Sequence, residues 1–475
     1  MRYYLINLFF ISILFSSCES DDVKPTPVVA GFENTSLSLG LDQNELTVNI
    51  VLSTAVNQDT EVQIDVTDGQ GTENGVDYTT EPGIVDGQLM LSVPNGSSSA
   101  SFIINKLQNP DFDEVKSMTF TLQAVGADGE IGTTNALSVT FEENPVSMGA
   151  VLEPSVGGEA QPNQVFVDLS TNSETVVQRD TWDFGFYSGT DFRVILNTTV
   201  GALARPLDKN DLNDVTSEDT VGFGAQLDLD AIFGAAIVPP PPPIFLSESA
   251  SWTDNPEGNL NGNAIGAISS IAAENPVYIV NRGSDVEGNN RGWLKIRVLQ
   301  SGSGYTLQFA EINAISFNEI TIQKDNNFNF QFVEVENGLV SVQPESSNWD
   351  IAFTTNTGLL GLGPVITIPY SLRDVVIQNR NNVSIAEVPV EDEVTFESFS
   401  ITDVDSNLLS AEINTIGTSW RTVASPTPGS VTAVSSDRFY VVNDTEGNLY
   451  KLRFTRLFDP VTEERGFPRI EYQLL

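Results

Sequence analysis

The stretch Trp182-Asp183-Phe184-Gly185-Phe186 decides the architecture, because it returns as Trp349-Asp350-Ile351-Ala352-Phe353. The segments around it recur in the same order. These pairs are Phe166-Val167-Asp168 with Phe332-Val333-Glu334, Trp252 with Trp420, Val277-Tyr278-Ile279-Val280-Asn281 with Phe439-Tyr440-Val441-Val442-Asn443, and Trp293-Leu294-Lys295-Ile296-Arg297 with Tyr450-Lys451-Leu452-Arg453-Phe454. Two tandem copies of one β unit are therefore predicted, at about residues 160–315 and 328–475.

Runs in which apolar and polar residues alternate are common along the rest of the chain, for example at residues 47–52 and 61–66. A period of two is typical of strands that bury one face. The predicted fold class is all-β, with an N-terminal β-sandwich followed by the two tandem copies. A linker is predicted around Gly157-Gly158, before the first copy.

Composition limits the classes of partner and chemistry. The formal net charge of −42 comes from 64 acidic and 22 basic side chains, and it disfavours nucleic acid, which needs a cationic face. The chain has no histidine, which excludes a Ser-His-Asp triad and a His-based zinc site. Carboxylates alone serve glycosidases, but among 64 acidic residues some pair always lies close, so no enzyme is predicted.

The first residues predict export. Arg2 precedes an apolar run at residues 5–15, which is too short to span a bilayer and is typical of a secretory signal. Ser16-Ser17-Cys18 follows, and Cys18 is the only cysteine. The segment resembles a bacterial lipoprotein signal, in which residues 1–17 are removed and Cys18 is lipidated, although Phe15 stands where that family usually has Leu. An ordinary signal peptide is the alternative.

The acidic stretch Glu19-Ser20-Asp21-Asp22 directly follows Cys18. It resembles a surface-export signal of one large group of Gram-negative bacteria. That resemblance implies an exported outer-membrane lipoprotein at the cell surface. Its only membrane contact would be the lipid anchor, joined to the protein by a tether at residues 18–27.

Residues 28–143 differ from the repeats that follow. Gly75-Val76-Asp77-Tyr78-Thr79 is a turn before a strand, and further strands end in the corner Asp111-Phe112-Asp113-Glu114 and resume at Met118-Thr119-Phe120-Thr121-Leu122. This order fits a two-sheet sandwich and resembles a Calx-β or related immunoglobulin-like domain.

The resemblance to Calx-β domains implies a candidate calcium site. Its ligands would be Asp77, Asp111, Asp113 and Glu114, whose carboxylates are the hard oxygen donors that calcium prefers. The alternative is that Asp111 and Asp113 are solvated turn residues around Pro110.

The Trp-Asp strand, the Tyr-hydrophobic-Val-Asn strand and the aromatic-X-Lys-X-Arg strand together resemble the HmuY family, over both repeats. Members are all-β surface lipoproteins that capture haem through axial His or Met ligands. The resemblance implies haem as a ligand and a TonB-dependent receptor as a partner.

One departure from the family bears directly on haem. The chain has no His, and its four Met, at positions 1, 90, 118 and 148, lie outside the repeats. A tyrosine phenolate is the remaining axial ligand. The candidates, for which core packing is the alternative role, are Tyr187, Tyr278, Tyr305, Tyr370, Tyr440, Tyr450 and Tyr472.

The charged residues of the repeated strands have two interpretations. Trp182 and Trp349 are predicted core anchors, which places Asp183 and Asp350 on the opposite face of each strand. Salt bridges from these Asp residues to the cations of the third strand are expected. The alternative is an anion-binding clamp. The ligand-binding candidates are Tyr278, Tyr440, Lys295 and Lys451, and the cations in question are Lys295, Arg297, Lys451 and Arg453.

The sequence therefore predicts a non-enzymatic binding lipoprotein at the cell surface, whose ligand is haem, another small molecule or a protein. The alternative is an adhesion or structural surface protein in which calcium stiffens the sandwich. Loss of thermal stability on chelation would favour the alternative.

Overall fold

The structure is a computed structural model that describes residues 27–41, 43–69, 71–110, 114–143, 145–221, 227–238, 244–363, 366–424 and 430–475. The predicted signal and Cys18, with all but the last residue of the tether, lie outside the described residues, as do Asp111 and Asp113. The chain divides into two compact units, residues 1–145 and 146–475. Within the described ranges, no helix combines the length and apolar character needed to cross a bilayer.

Unit 1 is a sandwich of two five-stranded sheets with the orders β5-β7-β3-β1-β9 and β2-β10-β8-β4-β6. Its strands are β1 Val29–Phe32, β2 Ser36–Leu39, β3 Glu45–Leu52, β4 Thr60–Asp68, β5 Tyr78–Glu81, β6 Gln88–Val93, β7 Ser99–Lys106, β8 Ser117–Val125, β9 Glu130–Ile131 and β10 Ala136–Phe141.

Alternation explains how these strands build one core. In β3, Val48, Ile50 and Leu52 are buried, and the residues between them are exposed. The buried faces of both sheets form a single apolar cluster that includes Phe102 and Phe120. The predicted N-terminal β-sandwich is thereby confirmed as an all-β unit.

Unit 2 contains the remaining strands and one α-helix, α1, Leu229–Ala236. The strands are β11 Gly149–Leu152, β12 Asn163–Asp168, β13 Ser173–Gln178, β14 Phe184–Tyr187, β15 Val194–Leu196, β16 Leu203–Pro206, β17 Tyr278–Asn281, β18 Trp293–Ser301, β19 Gly304–Glu311, β20 Asn318–Ile322, β21 Phe330–Glu334, β22 Gly338–Val340, β23 Ile351–Leu362, β24 Ile366–Gln378, β25 Ser384–Pro389, β26 Arg421–Thr422, β27 Ala433–Val434, β28 Arg438–Asn443, β29 Leu449–Phe458 and β30 Arg465–Leu474. The short 3-10 helices are Thr198–Val200, Leu212–Asp214, Ser217–Thr220, Ile244–Ser247, Ser249–Trp252, Leu260–Gly262, Ala272–Glu274, Ile401–Asp403 and Ser406–Leu408.

Each repeat contributes most of one five-stranded sheet. The first repeat forms the order β16-β17-β18-β19-β20, and the second forms β11-β30-β29-β28-β25. The repeated Tyr-containing and Lys-containing strands are neighbours in both, as β17 with β18 and as β28 with β29. This correspondence agrees with the internal repeat.

The two repeats also exchange strands. In the sheet β13-β12-β23-β24, β12 of the first repeat pairs with β23 of the second, with Phe166 opposite Ala352. In the sheet β15-β14-β21-β22, β14 pairs with β21, with Gly185 opposite Phe332. Each Trp-Asp strand therefore lies beside the Phe-Val strand of the other repeat. The boundaries of the two repeats, 160–315 and 328–475, stay predictions. Both repeats lie in one compact unit, whose sheets they build together by strand exchange.

Candidate functional site

A cavity of about 100 Å³ opens in unit 2 beside the exchanged strands. Both repeats line it, since the two tryptophans of the recurring Trp-Asp pairs, Trp182 and Trp349, lie on its wall together with Gln164 of β12 and Phe332 of β21. The other lining residues are Ile195, Leu196, Thr198, Thr199, Asp254, Asn255, Pro256, Gly258, Asn263, Asn329, Phe330, Val342, Gln343, Thr354, Thr355, Asn356, Ile377, Gln378, Arg380 and Ile413.

The strand exchange positions the two indoles. Trp349 packs edge-on against Phe166 of the other repeat, with ring centroids 5.1 Å apart. Trp182 packs in the same way against Phe332, at 4.9 Å. Both tryptophans are buried, as predicted for core anchors. Edge-to-face aromatic pairs stabilise a protein beyond the burial of apolar area alone, so they hold both indoles in place on the cavity wall.

Several buried polar atoms on the cavity wall have no hydrogen-bond partner among the described residues. A buried donor or acceptor without a partner costs about 1–3 kcal/mol, and the indole N–H normally finds one. Trp182, Trp349, Gln164 and Gln378 are all at most 4% exposed. The atoms concerned are Nε1 of Trp182, Nε1 of Trp349, and Oε1 of Gln164, Gln343 and Gln378.

Among the described residues that line the cavity, two side chains carry charge, Asp254 and Arg380. The Asp254 carboxylate accepts hydrogen bonds from the backbone N–H groups of Leu196, at 2.6 Å, and Ala264, at 3.2 Å. Burial nevertheless raises the pKa of Asp254 to about 7, so this carboxyl group titrates near neutral pH.

The Arg380 guanidinium lies over the ring of Phe330, with its central carbon 5.8 Å from the ring centroid. Burial lowers the pKa of Arg380. Within the described part of the chain, this guanidinium donates no hydrogen bond and lies in no ion pair, although Asp254 is near enough to favour its charge.

The absence of a side chain at Gly258 leaves room for the Arg380 guanidinium. Its φ is +82°, and a Cβ at this position would lie 2.6 Å from Ile413 Cγ1 and 2.9 Å from an Arg380 terminal nitrogen. The left-handed backbone favours glycine here, and a Cβ would force the ends of the Ile413 and Arg380 side chains to shift. The position of the guanidinium on the cavity wall thus depends on the loop of Gly258.

The aspartates of the Trp-Asp pairs, Asp183 and Asp350, do not line the cavity and bind other partners. Asp183 accepts from Arg282 Nε at 2.8 Å and from the backbone N–H of Val335 at 3.0 Å, and it also pairs with Arg291 at 3.0 Å. Asp350 accepts from the backbone N–H of Leu169 at 2.8 Å. In both repeats the carboxylate therefore binds the N–H two residues beyond the Val of the exchanged strand.

The prediction that Asp183 and Asp350 form salt bridges with the cations of the aromatic-X-Lys-X-Arg strands is wrong. Lys295 donates instead to the carbonyls of Val215 and Ala314, at 2.8 and 2.7 Å, and Lys451 donates to the carbonyl of Phe399 at 3.0 Å. Arg297 donates to the carbonyls of Asn275 and Ala272, and Arg453 pairs with Glu471 and Glu397. The physical reason is position, because loops of the same repeat and the neighbouring strand β30 supply nearer acceptors.

The four predicted ligand contacts lie away from the cavity wall. The Tyr278 hydroxyl accepts from Gly266 N at 3.1 Å, and the Tyr440 hydroxyl lies 2.9 Å from Ser419 Oγ. Lys295 and Lys451 are buried in the backbone contacts given above. Direct binding of a ligand by Tyr278, Tyr440, Lys295 or Lys451 stays a prediction.

Asp77 and Glu114, the described residues of the candidate calcium site, both pair with the same lysine. Burial raises the pKa of Asp77, but hydrogen bonds from Gln108, Lys116 and the backbone of Glu73 outweigh it and hold that pKa below its usual value. Lys116 Nζ lies 2.9 Å from Asp77 and 3.3 Å from Glu114. Among the described residues no group of three or more acidic or sulfur side chains is placed to hold a metal ion. Calcium binding by Asp77, Asp111, Asp113 and Glu114 stays a prediction of the resemblance to Calx-β domains, and the Lys116 ammonium group opposes it.

Sequence reasoning found the two tryptophans of the cavity and missed its polar residues. Gln164, Asp254 and Arg380 come from β12, from the loop after Trp252 and from the turn after β24. None stands in a recurring motif. The one local signal for a polar site is the repeated Trp itself, because a buried indole N–H normally needs a hydrogen-bond acceptor.

Comparison with protein families gives a match over most of unit 2. The family model described as "HmuY protein" matches residues 160–472, which is more than half of the chain. A comparison with curated proteins finds no significant match.

Solved structures give low scores. The apo CBD1 domain of Calx is 18% identical with a TM-score of 0.22, over 25% of this chain and 97% of that one. The Calx CBD2 domain is 11% identical with a TM-score of 0.21, over 24% and 86%. A two-domain protein from Bacteroides fragilis is 8% identical with a TM-score of 0.20, over 40% and 73%. The family match over residues 160–472 covers both repeats and the cavity that they line, and the chain belongs to the HmuY family.

Proposed function

We propose that this protein is a non-enzymatic binding protein that captures a small molecule in the cavity beside Trp182 and Trp349. The observation that carries the proposal is the set of buried polar atoms on the cavity wall without hydrogen-bond partners among the described residues. A concave, mostly apolar site with a few convergent polar groups is the usual form of a small-molecule site. A bound ligand would supply the missing partners.

The proposed ligand is not haem held by an axial bond. Haem iron is held in proteins by His, Met, Cys or Tyr side chains. The described residues that line the cavity include none of these four types. Burial also raises the pKa of Tyr278 and of Tyr440, which disfavours the phenolate that iron would need.

The proposed location is the outer surface of the outer membrane, with Cys18 as the lipidated residue. Support comes from the signal-like first residues and from membership of the HmuY family. A TonB-dependent receptor that takes the ligand onward is part of the same proposal. Transfer to such a receptor would require the ligand to leave the cavity without breaking a covalent bond.

The test blocks the cavity. Ile413 is a partly exposed side chain at the wall and belongs to no described apolar cluster, so Ile413→Trp narrows the cavity with little effect on the core. Ile401→Trp, at a residue that is 50% exposed and away from the cavity, is the matched control. Thermal unfolding of residues 19–475 is followed with a panel of sugars, organic acids, amino acids and haemin.

We expect at least one compound to raise the midpoint of the wild type and of Ile401→Trp by a few degrees, and to leave Ile413→Trp unchanged. Saturation at about 100 times Kd stabilises a protein by about 2.7 kcal/mol. Haemin should give no saturable Soret band. Equal stabilisation of all three proteins, no stabilisation at all, or a sharp haemin band would contradict the proposal.

A further inference from the structure

We infer that the cavity takes a small hydroxylated organic acid, whose carboxylate binds the Arg380 guanidinium and whose hydroxyl groups donate to the glutamine oxygens of the wall. This inference rests on the proposed function, since it names the ligand class of the same cavity.

The donors of the cavity indicate an anion. The Arg380 guanidinium donates no hydrogen bond to a described residue. The buried indole nitrogens of Trp182 and Trp349 are likewise without acceptors among the described residues. A guanidinium in a partly desolvated apolar site gains most from a carboxylate, which can accept two parallel hydrogen bonds. Arg380 forms no ion pair with a described residue, even though the formal charge of the chain is −42.

The acceptors of the cavity indicate hydroxyl groups on the same ligand. The Nε2 of Gln378 donates to the carbonyls of Val383 and Ser410, at 3.2 and 2.9 Å. These two bonds define the orientation of the amide, so its Oε1 is the atom left for a ligand. Gln164 Oε1 and Gln343 Oε1 have no partner among the described residues either. A carboxylate cannot donate to them, whereas an O–H group can.

The walls limit the carbon skeleton. Phe330, Phe332 and Ile377 line the cavity beside the indoles and would contact C–H groups. The cavity volume of about 100 Å³ suits a compact molecule. A cationic ligand would meet Arg380 without an opposing free carboxylate, because Asp254 already accepts from two backbone N–H groups. A neutral sugar would leave the guanidinium without a charged partner.

The test uses two matched pairs of probes that differ in the carboxylate, glycerate with glycerol and D-glucuronate with D-glucose. Affinities for residues 19–475 are measured by calorimetry. We expect at least one acid to bind about 10- to 100-fold more tightly than its neutral partner, as for a charge-assisted hydrogen bond. Arg380→Gln should remove that difference, and Arg380→Lys should restore part of it. Arg469→Gln, which removes a surface cation that is 43% exposed, should leave it unchanged.

Each other result overturns the inference. Equal affinity for acid and neutral partner, or no binding of either pair, contradicts the assignment of a hydroxylated acid. An unchanged preference in Arg380→Gln contradicts the role of Arg380. If that variant does not fold, the wild-type comparison within each pair decides alone. Binding of another compound class that Ile413→Trp abolishes would leave the proposed function standing while this inference fails.

Discussion

The Arg282 guanidinium donates two hydrogen bonds, at 2.8 and 3.0 Å, to the carboxylate of Asp183, the residue that follows Trp182 of the cavity wall. It also pairs with Glu334 of the exchanged strand, at 2.9 Å. Arg282 follows Asn281, and the residue that follows the equivalent Asn443 of the second repeat is Asp444. The aspartate of that repeat, Asp350, therefore has neighbouring carboxylates in place of an arginine. The two repeats therefore share a fold and differ in buried charge.

Arg282→Ala should destabilise unit 2 strongly. The variant leaves Asp183 and Glu334 buried with less compensation, and breaking a buried ion pair from one side costs about 3–5 kcal/mol. Urea unfolding measures the change. Arg469→Ala removes one partner of the exposed pair with Glu153 at 3.6 Å, and it should cost about 1 kcal/mol or less. Similar losses in the two variants would contradict the proposed importance of Arg282.

Asp350 should make stability fall as pH rises. Burial, followed by the carboxylates of Asp168 and Asp444, raises the pKa of Asp350 to about 7 from the ordinary 3.8. The folded state therefore binds the proton more tightly than the unfolded state. The contribution is fully present below about pH 4 and is lost as pH rises to about 7.

Asp350→Asn isolates that contribution, because Asp254 titrates in the same range in both proteins. The stability of the variant relative to the wild type should increase between pH 4 and pH 8, by on the order of a few kcal/mol. Urea midpoints at each pH supply the measurement. A difference that does not vary with pH would show that Asp350 does not titrate there.

The exchanged strands should make unit 2 unfold in one step. All five tryptophans lie in unit 2, at positions 182, 252, 293, 349 and 420, so their fluorescence reports on both repeats and not on unit 1. A single transition is expected. Phe166→Ala should shift it by about 3–5 kcal/mol, because the ring of Phe166 is buried against Trp349.

Val176→Ala is the matched control, on the strand next to Phe166. Val176 is 46% exposed, so the variant should change stability by less than about 0.5 kcal/mol. Two separate fluorescence transitions, of which Phe166→Ala moves only one, would contradict a shared core.

Anion binding in the cavity should weaken as pH rises through about 7. Asp254 and Arg380 are the charged groups among the described lining residues, and ionisation of Asp254, whose pKa is about 7, opposes a carboxylate ligand. D-Glucuronate affinity measured from pH 6 to pH 8 tests this. Asp254→Asn should bind with little pH dependence, and an unaltered profile in that variant would exclude Asp254 as the cause.

Calcium should leave unit 1 unchanged. Lys116 already places an ammonium group 2.9 Å from Asp77, and its own pKa is raised chiefly by that hydrogen bond. Calorimetry with about 1 mM calcium, the affinity range of extracellular modules, and with chelator should give the same unfolding temperature. A rise with calcium would support the adhesion or structural alternative.

The sequence by itself determined the all-β class, the internal repeat and the burial of Trp182 and Trp349. These follow from local patterns, since a period of two shows which face of a strand is buried. The strand exchange, the pairing of Asp183 with Arg282 and the place of Arg380 were decided by the tertiary structure. A pattern within one strand does not identify its neighbour, because pairing depends on contacts between residues far apart in the chain. Asp183 and Arg282 are 99 positions apart, and only the folded sheets bring them together.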